Sequence, residues 1–369
     1  MYSESDLQSA VTAGAISAQA AEALRSHVLG KQAPSEVDEE HFRLISGFND
    51  IFVTIACALV IFAAAAIGGQ GAVWLGGLLV AAACWAMAEF FTRKRRMALP
   101  SIVLLLGFTI GLGVAAWHFA GMLLPEHTVA HTDRWPGDEV HSWEANERYP
   151  WQEALMFAAA GLAAAVGALL HWWRFQVAIT IAAGLGACVA LALSLLAAAM
   201  GQSPSMANVL APAALICGLL TFAFAMWWDV RDPTRTTLRA DIAFWLHLLA
   251  APLIAHPLFY WMGALGGHDI GIATAVGVLA IYLVFAVVAL AVDRRALLVS
   301  ALAYVLTALG SLMRHFGSVE LSVALTALII GAALLLLSAW WAPMRRALLD
   351  RLPPALALRL PKGASLRST

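Results

Sequence analysis

The 369-residue chain is 62% hydrophobic and only 12% charged, with a mean hydropathy of +0.80. A soluble domain carries about twice that charged fraction, so soluble classes are excluded and an all-α membrane protein is expected. The formal net charge of -1 conceals a segregation of charge along the chain, and no nucleic-acid partner is expected.

Residues 1–33 read as a small helical hairpin. Leu7 and Val11 repeat at i, i+4, Gly14 breaks the pattern, Ser17 can cap a second helix, and Ala20, Leu24 and Val28 form a stripe. So few large apolar residues do not stabilise such a module alone. It is expected to pack against inner loops, self-associate, or dock on the membrane surface or on a protein partner.

Residues 34–47 predict a juxtamembrane helix. Ser35 and Asp38 stand at capping-box spacing, acids fill the first turns, and Glu39 precedes Arg43 at i, i+4. The run "DEEHFRLISGFNDIFVTIA" then leads into the first apolar block, with Asn49 and Asp50 at its mouth. Arg43, Gly47 and Asp50 share one face, so Asp50 is expected to anchor to Arg43 or to the basic turn Arg93–Arg96.

Apolar blocks of about twenty residues, the length that crosses a hydrocarbon core, fall near 48–67, 72–91, 100–123, 152–170, 176–199, 207–228, 241–262, 270–291, 297–314 and 320–341. They predict about ten transmembrane helices over 48–341. The first block begins too late to be a cleavable signal and is expected to persist as a span. Cys57, Cys84, Cys188 and Cys217 lie inside blocks without CxxC spacing and read as small packing residues.

The outer loop 124–151 carries "EHTVAHTDRWPGDEVHSWEANERYPW". On a helix His127 and His131 would share a face with Asp133 close by, a candidate metal site. Pro125, Pro136 and Gly137 instead predict an irregular loop with its tryptophans at the lipid interface. The tail, 342–369, alternates Arg with Leu and reads as a basic segment lying along anionic lipid.

With the N-terminus inside, nineteen of the 22 basic residues fall in inner segments; Arg134, Arg148 and Arg314 are outside. The positive-inside rule then places both termini in the cytoplasm. The even-numbered spans end alike, in "AEFFTRKRR", "HWWRF", "MWWDVRD", "AVDRR" and "SAWWAPMRR". Such ends read as aromatic belts with basic anchors.

Ionisable groups inside spans mark candidate structural or gating positions: Asp50, Glu89, His118, and His247 and His256 in the Pro-interrupted seventh span. The two seventh-span histidines are about 13 Å apart along an unbroken helix, too far to share a ligand. No HExxH, GxSxG, Walker lysine loop or intramembrane aspartate pair is present. No enzyme and no cofactor are expected.

The "DLQSAVTAGAISAQAAEALRSHV" hairpin, the "DEEHFRLISGFNDIFVTIA" run, the alanine-rich spans and the "RRALLDRLP" tail together resemble a bacterial membrane family known as domain of unknown function 2157. The resemblance implies a multi-pass protein of a bacterial inner membrane and supplies no activity or site residue. The leading expectation is a membrane scaffold or envelope-associated component assembled through residues 1–33. A small-solute transporter with a path beside His256 is the alternative, and an outer-loop metal sensor using His127 and His131 is the third reading.

Overall fold

The computed structural model describes residues 9–23, 48–134, 140–201, 203, 205–232, 235, 237–264, 272–299, 302, 305–306, 319–353 and 360. Contacts divide the chain into two compact units, residues 1–40 with 364–369, and residues 41–363.

In the first unit, residues 9–12 and 18–23 are helical. Between them Gly14 takes the left-handed φ of 71°, which a residue without Cβ adopts freely. The Ala20 amide donates to Ser17 Oγ at 3.1 Å, the expected cap. The remainder of 1–33, and the whole of 34–47 with Arg43, lie outside the described residues.

The second unit is built from helices α1 (Phe48–Gly69), α2 (Val73–Ala88), α3 (Ala98–Leu123), α4 (Pro150–Phe175), α5 (Ile179–Met200), α6 (Met206–Val230), α7 (Leu238–Trp261), α8 (Ile272–Val292), α9 (Val319–Ala339) and α10 (Trp341–Leu349). α2 continues into a π-helical turn, Glu89–Lys94. α1 to α7, with that turn included, are long and apolar enough to cross a membrane. Leu328–Ala339 and Trp341–Leu349, bent by 69° at their junction, make an eighth span if taken together. The expected ninth span, 297–314, falls mostly outside the described residues, so a count of ten is not reached among them. This is a multi-pass membrane protein, and its surface fits lipid: Phe62, Trp173 and Leu335 are each more than 70% exposed on helices that carry almost no charge.

Consecutive helices pack as neighbours along α1–α2–α3–α4–α5 and α6–α7, with α5 also touching α7. Small residues permit the close crossings. A Cβ on Gly77 of α2 would lie 2.6 Å from the Gly111 carbonyl of α3, so the two backbones touch there. Cys57 and Cys84 fill the core among Val80, Leu104 and Phe108; Cys188 is exposed, and all four cysteines are free.

The described residues of the loop 124–151 include two strands, where an irregular loop was expected. Strands β1 (His127–Arg134) and β2 (Val140–Glu147) pair antiparallel, with His127 opposite Glu147 and Asp133 opposite His141. The sequence of β1, HTVAHTDR, alternates only weakly, yet each strand supplies the other's hydrogen bonds. The base of this hairpin is tied to the bundle: Arg148 donates to the Gly121 carbonyl at 3.0 Å and pairs with Glu126 at 2.6 Å, and Gln152 donates to the Pro125 carbonyl at 3.0 Å.

Candidate functional site

Among the described residues, a buried polar cluster joins α6, α7 and the turn after α8. Asp229, in the last turn of α6, is fully buried. Its Oδ2 accepts from Arg294 Nε at 3.1 Å and from His247 Nε2 at 3.0 Å, and Arg294 Nη2 donates to its other oxygen. Arg294, 3% exposed, also donates to the Ala240 carbonyl at 3.2 Å. The carboxylate keeps the proton of His247 on Nε2, and Nδ1 has no hydrogen-bond partner. His247 sits about 14 Å along α7 from its first residue, so the cluster reaches well into the span.

A second set of contacts abuts the first through the peptide bond between Asp293 and Arg294. Asp293 takes a left-handed φ of 63°. It accepts from Arg235 Nη1 at 3.0 Å and from Trp341 Nε1 at 2.8 Å. Arg235, also left-handed at φ 52°, donates to the Val292 and Asp293 carbonyls at 3.0 Å each and so closes the end of α8. Arg345 of α10, 1% exposed, donates to the Leu290 carbonyl at 3.2 Å and lies 3.6 Å from Asp293. On the α6–α7 turn, Asp232 accepts from the Thr237 amide at 2.9 Å and hydroxyl at 2.7 Å, while Thr237 caps α7 through the Arg239 amide.

These contacts correct the expectation of plain aromatic belts. At the break between α9 and α10 the two tryptophans divide their roles. Trp340 is exposed and Trp341 is 2% exposed, bonded to Asp293. Trp227 is exposed with the Arg231 guanidinium 3.5 Å from its ring centroid. The tail is likewise not wholly a lipid-facing segment, because Arg345 is buried and donates to the Leu290 carbonyl of α8.

Other candidate residues are dispersed. Asn49 is exposed, and Asp50 is 3% exposed in the first turn of α1, where its carbonyl accepts from Thr54. His118 packs edge-on to Trp117, with ring centroids 4.7 Å apart, beside an apolar cavity of about 520 Å³ between α3, α4 and α5. His256 lies on the exposed side of α7, opposite the buried face of Ala243, Leu246, His247 and Ala250. His127 stacks on Tyr149 at 3.9 Å and His131 Nε2 meets Glu147 at 2.7 Å. In a strand these two histidines stand about 13 Å apart, which removes the metal geometry that a helix would have given. Among the described residues no three metal-ligating side chains come together.

Buried charged or titratable residues that were not among the sequence candidates include Asp229, Asp293, Arg294, Arg345 and His171 of α4. His171 is enclosed by Trp85, Phe108 and Phe175, with Thr180 Oγ1 3.3 Å from its Nδ1. Glu89 was a candidate, and its partner is across the bundle: Arg174 holds it through two nitrogens, at 2.7 and 2.9 Å, with Arg93 at 3.2 Å. The signal for Asp229 was an acid in "MWWDVRD", which an anchor does not require. A comparison with protein families, curated proteins and solved structures finds no match to this chain.

Chemically the Asp229 cluster is a lock. The carboxylate is held by a guanidinium and an imidazole. Such a cluster holds helices in one arrangement.

Proposed function

We propose that the protein is a non-enzymatic scaffold or envelope-associated component of a bacterial inner membrane, with about ten spans and both termini cytoplasmic. The observation that carries this reading is that the buried Asp229 carboxylate is held by both His247 and Arg294. A transport path sets ionisable groups along a water-filled route, whereas these close on one another. The arginine-rich turns support the orientation, and the resemblance to domain of unknown function 2157 agrees with a bacterial membrane protein without assigned activity.

The short helices of residues 9–12 and 18–23 are the assembly element in this proposal. Deleting residues 1–33 is expected to reduce the size of the native-membrane complex and to lose co-purifying partners. Unchanged size and partner recovery would overturn it. The transporter alternative is weakened by His256, which lies on the exposed side of α7.

A further inference from the structure

A cleft of about 690 Å³ opens between the α2–α3 turn, the α4–α5 turn and the first turns of α7. Arg93, Arg96, Gln176 and Asp241 supply its polar lining, and Ile102 and Trp245 belong to its apolar wall. Arg96 and Gln176 adopt left-handed φ angles of 54° and 52°. Few non-glycine residues do so, and here both fall in turns that border the same cleft.

Three observations point to an anion. Arg96 is exposed and, among the described residues, pairs with no carboxylate, while Arg93 engages Glu89 through Nη1 and keeps further donors. α3 and α5 both begin at the cleft, after Met97 and Ala178, and neither has a side-chain cap; the Thr180 and Ile181 amides of α5 donate to the Val177 and Ala178 carbonyls and Pro100 has no N–H, which leaves the Ala98 and Leu99 amides and the positive end of α3 to a ligand. Thr92, 7% exposed, borders the cleft, and its hydroxyl has no hydrogen-bond partner. Asp241, on the α7 side, adds one negative group to this otherwise cationic lining.

We propose that the cleft binds a phosphodiester headgroup that also carries an ammonium, as on a membrane phospholipid. The phosphate lies against Arg93, Arg96 and the start of α3, the ammonium meets Asp241, and the apolar wall takes the first part of the acyl chains. A guanidinium fork matches a phosphate better than an ammonium point charge does, and an amphiphile alone uses both linings. The site is independent of residues 1–33, so its test and the assembly test fail separately.

The experiment is native mass spectrometry of the full chain, delipidated in mild detergent and titrated with dihexanoylphosphatidylethanolamine. A saturable one-to-one adduct is expected, weakened about tenfold by Arg96→Gln, with the unfolding temperature unchanged because Arg96 is exposed. Asp241→Asn is expected to abolish the preference for an ethanolamine over a glycerol headgroup while retaining the adduct. Glycerophosphoethanolamine, which lacks chains, is expected to bind at least about tenfold more weakly, since burying a few methylenes gives that factor. Equal binding of the chainless compound would overturn the lipid source, and no saturable adduct, or full retention in Arg96→Gln, would overturn the site.

Discussion

Asp229 and Arg294, 65 residues apart in the chain, meet through both carboxylate oxygens in a fully buried, two-pronged ion pair. The pair joins the end of α6 to the turn after α8, and His247 attaches α7 to the same carboxylate.

Asp229→Asn takes from the buried Arg294 the carboxylate that it grips with two nitrogens and is expected to cost about 3–5 kcal/mol, the penalty for breaking a buried pair from one side. Adding Arg294→Met should recover part of that loss, because the second change removes the buried charge. Thermal unfolding in detergent measures both variants, and additive losses would show that the two residues are not coupled.

Gly77→Ala places a methyl group 2.6 Å from the Gly111 carbonyl oxygen and 2.8 Å from the Ala115 amide nitrogen. The expected loss is about 1–3 kcal/mol from overpacking. Gly331→Ala is the control, since a Cβ there meets nothing within 4 Å, and it should be neutral or slightly stabilising. Equal behaviour of the two in the same melt would refute the close crossing of α2 and α3.

His247→Ala removes a fully buried ring and a partner of Asp229, and is expected to lower stability by about 2–3 kcal/mol. His256→Ala, on the exposed side of the same helix, should cost less than His247→Ala. A reversed order would mean that α7 presents the opposite face to the bundle.

Zinc should not bind the hairpin stoichiometrically. His127 and His131 are each engaged elsewhere, by Tyr149 and Glu147 respectively, and stand about 13 Å apart on one strand. Isothermal titration of the purified protein with zinc at micromolar concentration should give no saturable heat that His131→Ala abolishes.

The first seven spans were legible because a block of twenty apolar residues has few alternatives. The expected 48–67 and 207–228 compare with Phe48–Gly69 and Met206–Val230. The β-hairpin was less so, because Pro136 and Gly137 signal a breaker equally well in a loop or between two strands. His247 was visible as an ionisable group in lipid, but its partner was not. Local sequence reports neighbours three or four positions away, while Asp229 is 18 residues from His247 and 65 from Arg294. "MWWDVRD" and "AVDRR" therefore looked like surface anchors, although Asp229, Asp293 and Arg294 turn inward.

The distance between Asp229 and Arg294 along the chain also sets a schedule. A ribosome adding about 5–20 residues each second delivers Arg294 roughly 3–13 s after Asp229, for a separation of 65 residues. During that interval α6 carries a carboxylate whose guanidinium has not yet been synthesised. α6 and α7 can insert as a pair, with His247 as provisional company for the acid, but they cannot reach their final packing until α8 and its following turn arrive. A chain truncated after Trp261 should consequently stall as a degradation-prone intermediate, and the turn Asp293–Arg294 acts as the late step that commits the membrane domain to its finished form.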